Sequence, residues 1–263
     1  PKSHKNPKMK LKFLGTGTSQ GIPVIGSTHP VCLSTNPKDK RLRSSVMITD
    51  DEGKKILIDC GPDFRQQMLT NQESNVDALL ITHEHNDHVI GLDDLRPIIF
   101  QKRKDISIYC LPRVGKEIQN RFPYAFTEDK YPGAPSFEIT EIGNEPFIIE
   151  NTEITPIQVI HYKLPILGYK FKNLAYITDA SFISEEEQKK LKNLDVLIIN
   201  CLRKDEPHVA HYILPEILEL VEKLQPKTTY LTHISNRFGF HDEIEAMTPA
   251  NIHPAHDGLE IEF

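Results

Sequence analysis

Short apolar runs separated by polar turns recur along this chain, and their spacing sets the first expectations. MKLKFLG (9–15), SVMIT (45–49) and KILID (55–59) have the composition of strands, and the last two flank the turn signal DDEG, which predicts a hairpin. VDALLIT (76–82), ISIYC (106–110), FEITEI (137–142), FIIE (147–150) and TPIQVI (155–160) read as further strands. LAYIT (174–178), DVLIIN (195–200) and TTYLT (228–232) complete the series. Helical signals are fewer. PDFRQQML (62–69) predicts a short helix, and Ser184 followed by Glu187 forms a capping box that opens EEEQKKLKNL (185–194). After Tyr212, the residues Leu214, Ile217, Leu218, Val221 and Leu224 fall on one helical face, with Pro215 tolerated in the first turn. Strands early and late, with helices between them, predict an α/β layered fold: a sheet sandwich flanked by helices.

Composition narrows this picture. The chain has 263 residues, 38% of them hydrophobic, enough for a substantial core. It shows no repeat, low-complexity tract or linker, so residues 9–263 are expected to form one domain. PKSHKNPK (1–8) is polar and aperiodic and reads as a flexible tail or a cloning remnant. No apolar stretch approaches the roughly 18 residues of a membrane span, and the start lacks the apolar core of a signal peptide, so a soluble, cytoplasmic protein is expected. Cys32, Cys60, Cys110 and Cys201 are scattered, which argues for buried thiols rather than a disulfide framework. The net charge of −6 provides no overall attraction to nucleic acid, although KDKRLR (38–43) and QKRK (101–104) are short basic runs.

The densest chemistry lies in HEHNDH (83–88), which follows directly from the strand VDALLIT. His83, His85, Asp87 and His88 leave a strand end together. Their imidazole and carboxylate donors suit zinc or a similar divalent ion, whereas leaving them unpaired near a core would cost several kcal/mol. By contrast, GTGTSQG (15–21) lacks the Gly-Lys-Ser/Thr ending of a phosphate-binding loop and reads as a tight turn.

The pattern His-x-His-x-Asp-His resembles the signature of the metallo-β-lactamase fold superfamily. That resemblance implies an αββα sandwich, two mixed β-sheets flanked by helices, with two metals at the strand ends. It also implies three ligands further along the chain, matched by His161 in VIHYKLPILGYKF, Asp179 in LAYITDAS and His233 in TTYLTHIS. By carry-over, His83, His85 and His161 hold the first metal, Asp87, His88 and His233 the second, and Asp179 bridges them. LKFLGTGTSQGIPVIG, RLRSS, ILIDCGPDFRQQ and HVIGLDDLRP are similar to the PhnP-type branch, phosphodiesterases related to tRNase Z whose best-known activity opens a cyclic phosphate on phosphorylated ribose. The similarity runs from Met9 to Phe263.

This resemblance implies a phosphodiesterase with two divalent ions, Zn or Mn and conceivably Fe, acting on a small cyclic phosphate or a nucleotide-like diester. A hydroxide held between the metals would attack phosphorus, since coordination brings the pKa of water toward about 7. Asp87 belongs to this catalytic centre. His211 matches the histidine that assists at the phosphate, as general acid or oxygen stabiliser, with His208 as the alternative. Arg41, Arg43, Arg96 and Arg203 are candidates for phosphate contact, and Asp93 and Asp94 for orienting the ligand imidazoles. The branch often carries a cysteine cluster that holds a structural zinc; here GSTHPVC keeps only Cys32, with His29 and a distant His241 as the remnants of a degenerate site. The expected partner is a small phosphodiester rather than a membrane or stably bound nucleic acid, and homodimers are common in the branch. The competing readings are a tRNase Z-like or DNA-processing nuclease, a lactone or thioester hydrolase, and a scaffold without metals. The full ligand set argues against the last.

Overall fold

A computed structural model describes residues 8–263, and the reading of residues 1–7 as a tail lies outside the described residues. Fourteen strands and seven α-helices are formed by the described chain. The first half contributes β1 (Lys10–Gly15), β2 (Ser45–Thr49), β3 (Lys55–Ile58), α1 (Phe64–Thr70), β4 (Ala78–Leu80), α2 (Asn86–Val89), α3 (Arg96–Lys102), β5 (Ile106–Cys110), α4 (Pro112–Arg121) and β6 (Phe137–Glu141). The second half contributes β7 (Phe147–Ile149), β8 (Thr152–His161), β9 (Leu164–Phe171), β10 (Leu174–Ile177), α5 (Glu185–Lys189), β11 (Val196–Asn200), α6 (Leu214–Leu224), β12 (Thr228–Thr232), α7 (His241–Met247), β13 (Ile252–Pro254) and β14 (Glu260–Glu262).

Two seven-stranded mixed sheets result, ordered β14-β1-β2-β3-β4-β5-β6 and β13-β12-β11-β10-β9-β8-β7. In each, hairpins give antiparallel pairs and helical crossovers give parallel ones: β3 to β6 run parallel in the first sheet and β10 to β13 in the second. The sheets face each other across a core that includes Phe13, Ile56, Ile58, Tyr169, Phe171, Tyr176 and Ile198. Helices α1, α3 and α4 cover the outer face of the first sheet over Leu57, Leu79 and Ile108; α6 and α7 cover the second over Leu197, Ile199 and Leu231, with α5 beside β8. Strands buried on both faces explain why VDALLIT and DVLIIN read as continuous apolar runs rather than alternating ones.

This is the expected αββα sandwich. Local readings shift at their edges. The strand in VDALLIT shortens to three residues; of the expected capping box only one half forms, Glu187 N donating to Ser184 Oγ at 3.3 Å while the Glu187 carboxylate accepts from Gln158 N and Lys190 Nζ, and the helix it opens ends at Lys189 instead of Leu194. Leu191 and Leu194 are drawn into the core, and Asn193 adopts a left-handed backbone (φ 56°), which breaks the helical path. Among the described residues no helix is long and apolar enough to cross a membrane.

Candidate metal centre

The carboxyl ends of β3, β4, β8, β10 and β12 converge on one edge of the sandwich, and each is followed by a polar side chain of the site. Three of these residues take left-handed backbone angles: Asp59 (φ 64°), Asp179 (φ 59°) and His233 (φ 52°). Such conformations cost on the order of 1–3 kcal/mol for a residue with a side chain, and they persist where surrounding structure enforces them. Here they turn the side chain inward just where the strand ends. Asn200, at the end of β11, fixes the backbone beyond Asp179 by accepting from Ala180 N at 2.7 Å and donating to Ala180 O at 2.9 Å.

The turn bearing His83 to His88 is pressed against the loop after β3. Cys60 N donates to His88 O at 2.7 Å and Gly91 N to Cys60 O at 2.9 Å. A Cβ on Gly61 would stand 2.1 Å from Asp87 O, and one on Gly91 would stand 1.9 Å from Gly61 O. Only glycine lets these two backbones approach so closely.

All seven residues expected as ligands meet at this edge. Four overlapping groups place one donor atom from each member within 4.8 Å of the others: His83, His85 and His161; His83, His88 and Asp179; Asp87, His88 and His233; His161, Asp179 and His211. Asp179 lies at their centre. Its Oδ2 is 3.1 Å from His88 Nε2, while its Oδ1 is 3.1 Å from His233 Nε2, 3.8 Å from His211 Nδ1 and 3.9 Å from His161 Nε2. Asp87 Oδ2 lies 3.1 Å from His88 Nε2 and 3.8 Å from His233 Nε2.

The donor set fits divalent ions. His88 Nε2, both ring nitrogens of His233 and His211 Nδ1 are buried without a properly aligned hydrogen-bond partner, although carboxylates approach to 3.1 Å. Burial opposes ionisation of Asp87 and Asp179, yet neighbouring imidazoles, His88 for the first and His233 for the second, hold both carboxyls well below their ordinary range. Burial also disfavours charge on His88, but Asp87, Asp179 and Asp59 together raise it well above its ordinary value. A proton on His88 thus balances a nest of carboxylates, a role a cation can assume.

Several ring orientations are set from outside the cluster. His161 Nδ1 donates to Ala210 O at 2.9 Å, which leaves Nε2 facing the centre. Asp59, buried at the end of β3, accepts from Thr82 N (2.8 Å), Thr82 Oγ1 (2.8 Å) and His88 Nδ1 (2.7 Å). Sequence reasoning assigned this orienting task to Asp93 and Asp94. Asp93 instead pairs with Arg96 and accepts from Tyr124 Oη at 2.7 Å. The signal for Asp59 was an acidic residue closing the strand KILID one position before Cys60.

Helix α4 adds a brace that the sequence reading did not find. Arg113 donates to Glu84 Oε1 (2.7 Å) and Oε2 (3.2 Å), and also to Pro165 O (2.8 Å) in β9. Arg121 bonds Glu84 O and Asn86 Oδ1. The brace ties the His83–His85 turn to the hairpin that carries His161.

The remaining candidates sit as follows. His211 stacks on His233 with ring centres 4.9 Å apart; His208 lies one ring further out, 5.1 Å from His211, with Nδ1 accepting from Ala210 N. Arg41 is buried, donating to Thr16 Oγ1 (2.8 Å), Ala255 O (2.5 Å) and His241 Nδ1 (3.2 Å). Arg43 grips Asp63 and Ser19 O, Arg96 pairs with Asp93, and Arg203 bonds the carbonyls of Glu206 and Pro207. His29 Nδ1 caps Val31 N and Cys32 Sγ accepts from Val24 N, so His29, Cys32 and His241 are each engaged separately.

Beside the cluster opens a cleft of about 530 Å³ that shares His85 and His161 with it. The model of a Beta-lactamase superfamily domain matches residues 54–234. A solved diphosphatase of the PhnP family superposes with a TM-score of 0.91 at 38% identity, covering 97% of both chains. An octanoyltransferase of Porphyromonas gingivalis is 39% identical over 253 residues, 96% of this chain and 51% of that protein. A ribonuclease Z of Methanococcus maripaludis is 30% identical over 171 residues, 63% of this chain and 48% of that protein. The chain therefore spans about half the length of these two curated relatives. Matched through most of its length, the chain belongs to the beta-lactamase superfamily, with the fold and the histidine–aspartate cluster of a metal-dependent hydrolase.

Proposed function

We propose that residues 9–263 form one hydrolase domain, a dinuclear metal-dependent phosphodiesterase acting on a small cyclic phosphate or a nucleotide-like diester. The observation that carries this reading is the geometry of Asp179, whose two oxygens face different imidazoles, Oδ2 towards His88 and Oδ1 towards His233, His161 and His211. In this reading His83, His85 and His161 would hold one ion and Asp87, His88 and His233 the other, with Asp179 shared between them; the donors suit zinc, manganese or iron. Bound there, such ions would supply water acidified toward a pKa of about 7 and positive charge for phosphoryl oxygens.

The protein's own residues orient the reaction. Asp59 fixes the His88 ring, Ala210 O fixes His161, and Arg113 with Arg121 holds the turn in place. Burial, then the neighbouring His233, pushes the His211 imidazole down to about 3. It is neutral at physiological pH, which favours N–H donation to a phosphoryl oxygen over delivery of a proton to the leaving group. His208 stands behind it as a supporting ring.

Two relatives support phosphoryl chemistry by name, the PhnP-family diphosphatase and ribonuclease Z. The second reading, a lactone or thioester hydrolase, has the octanoyltransferase in its favour, but this chain corresponds to only 51% of that protein. Elemental analysis combined with hydrolysis of bis(p-nitrophenyl) phosphate, p-nitrophenyl phosphate and a simple lactone separates them. Two ions per chain with preference for the diester are expected, and Asp179→Ala loses an ion and the activity. Turnover of the lactone alone overturns the phosphodiesterase reading.

A further inference from the structure

Hairpin β8–β9 ends in a two-residue tip, Tyr162–Lys163, because His161 pairs with Leu164. Tyr162 takes a left-handed backbone (φ 57°) that glycine or asparagine would hold with less strain. Its amide is anchored to Ser181 Oγ at 3.1 Å, yet the residue is 56% exposed and lines the cleft beside His85 and His161. Strained backbone carrying an exposed aromatic ring at the rim of a site points to a use for that ring. Val209, 75% exposed, also lines the cleft. Lys163 is the one lysine or arginine in the lining, and its ammonium stands 5.2 Å from the centre of the Tyr162 ring. The arginines Arg41, Arg43, Arg96 and Arg203 are meanwhile occupied by other partners.

We infer that the Tyr162–Lys163 tip determines specificity, selecting phosphodiesters that carry a flat ring, a nucleoside in particular: the ring stacks on Tyr162 and Lys163 meets the phosphate charge. The inference rests on the phosphodiesterase reading and narrows it. A cleft of about 530 Å³ lies within the range of small-molecule sites. Base–aromatic stacking tolerates any base, so the tip would select the class of substrate rather than one nucleotide.

The test compares thymidine 5′-(p-nitrophenyl phosphate) with methyl p-nitrophenyl phosphate, which share a leaving group and differ in the nucleoside. Tyr162→Asn removes the ring but suits the left-handed turn; Tyr162→Phe restores the ring. The native protein is expected to prefer the thymidine ester, Tyr162→Asn to lose about 10-fold in kcat/KM on it with less than a twofold change on the methyl ester, and Tyr162→Phe to behave as the native protein. Lys163→Gln is expected to raise KM for both substrates, with metal content unchanged. A thymidine preference that survives Tyr162→Asn overturns the inference and leaves the phosphodiesterase standing. If the native protein turns over neither ester, the phosphodiesterase reading fails, and calorimetric binding of thymidine 5′-monophosphate still tests the tip. Binding about 10-fold weaker in Tyr162→Asn supports it, and equal binding overturns it.

Discussion

Replacing Asp59 by asparagine preserves shape and reverses the two hydrogen bonds made by Oδ2, to Thr82 Oγ1 and to His88 Nδ1, so it tests what this carboxylate does for His88. Asp59 Oδ1 accepts from Thr82 N at 2.8 Å, and an amide oxygen keeps that bond. Asp59 Oδ2 accepts from Thr82 Oγ1 at 2.8 Å and from His88 Nδ1 at 2.7 Å, and an amide NH2 in its place can only donate. The threonine hydroxyl can turn and accept. The imidazole can answer only by moving its proton from Nδ1 to Nε2, the nitrogen that faces Asp87 and Asp179. A protonated Nε2 cannot bind a metal, and forcing the proton back leaves two buried donors opposed, at a cost of about 1–3 kcal/mol. At 1.4 kcal/mol per tenfold this is roughly 5- to 150-fold in affinity, in line with the 10–100-fold usual for partners of metal-bound histidines. Titration of metal-free Asp59→Asn with zinc or cobalt is therefore expected to show the site of Asp87, His88 and His233 weakened by about that factor, and the site of His83, whose Nδ1 bonds the same Thr82 hydroxyl at 2.9 Å, weakened less. Two sites of native affinity in a folded variant would refute the argument that Asp59 sets the tautomer.

Other consequences can be measured in parallel. His211→Ala is expected to leave metal content intact and slow diester turnover by roughly 100-fold or more, read by kcat with elemental analysis as control. In the metal-free protein the raised pKa of His88 adds stability that is fully present below the unfolded value near 6.5 and is lost as pH rises through the folded value; the thermal midpoint in chelator should fall above neutral pH, while that of the loaded protein does so far less. Arg41→Ala removes the buried donor of Thr16 Oγ1, Ala255 O and His241 Nδ1, and with it the positive charge that eases ionisation of Asp257, whose carboxyl burial has already pushed up to about 6. A loss of about 3–5 kcal/mol, or roughly 10 °C in thermal midpoint, is expected by calorimetry.

What could be read from the residues was what local spacing carries. HEHNDH announces itself because its donors are adjacent, and His161, Asp179 and His233 could be found because each ends a recognisable strand. Asp59 escaped since its partnership with His88 depends on β3 and β4 lying side by side, a pairing made by Ile58 and Leu80 and invisible in either segment alone. Arg113 and Arg121 were missed with the helix that carries them: Pro112–Arg121 buries only Val114, Gly115 and Ile118, too sparse an apolar stripe to recognise. The basic residues of the site were sought among arginines, whereas the cation beside the cluster is Lys163, placed there by a two-residue hairpin tip.

The cluster straddles the seam between the two halves of the chain. His83, His85, Asp87 and His88 belong to the sheet built by the first half, and His161, Asp179 and His233 to the sheet built by the second, with Arg113 reaching across. On the proposed assignment neither half would contain a complete set for either ion, so the centre would come into being only when the sheets dock. An ion bound there acts as a clasp on the whole sandwich, adding RT ln(1 + [M]/Kd) to the docking of one layer on the other. The strand β14, which returns from the end of the chain to pair with β1, closes the same seam at the opposite edge of the first sheet. A chain opened between β6 and β7 would thus yield two fragments joined by the apolar core between the sheets and by β14 on β1, and metal would add to that reunion the binding energy of a site completed only in the joined state.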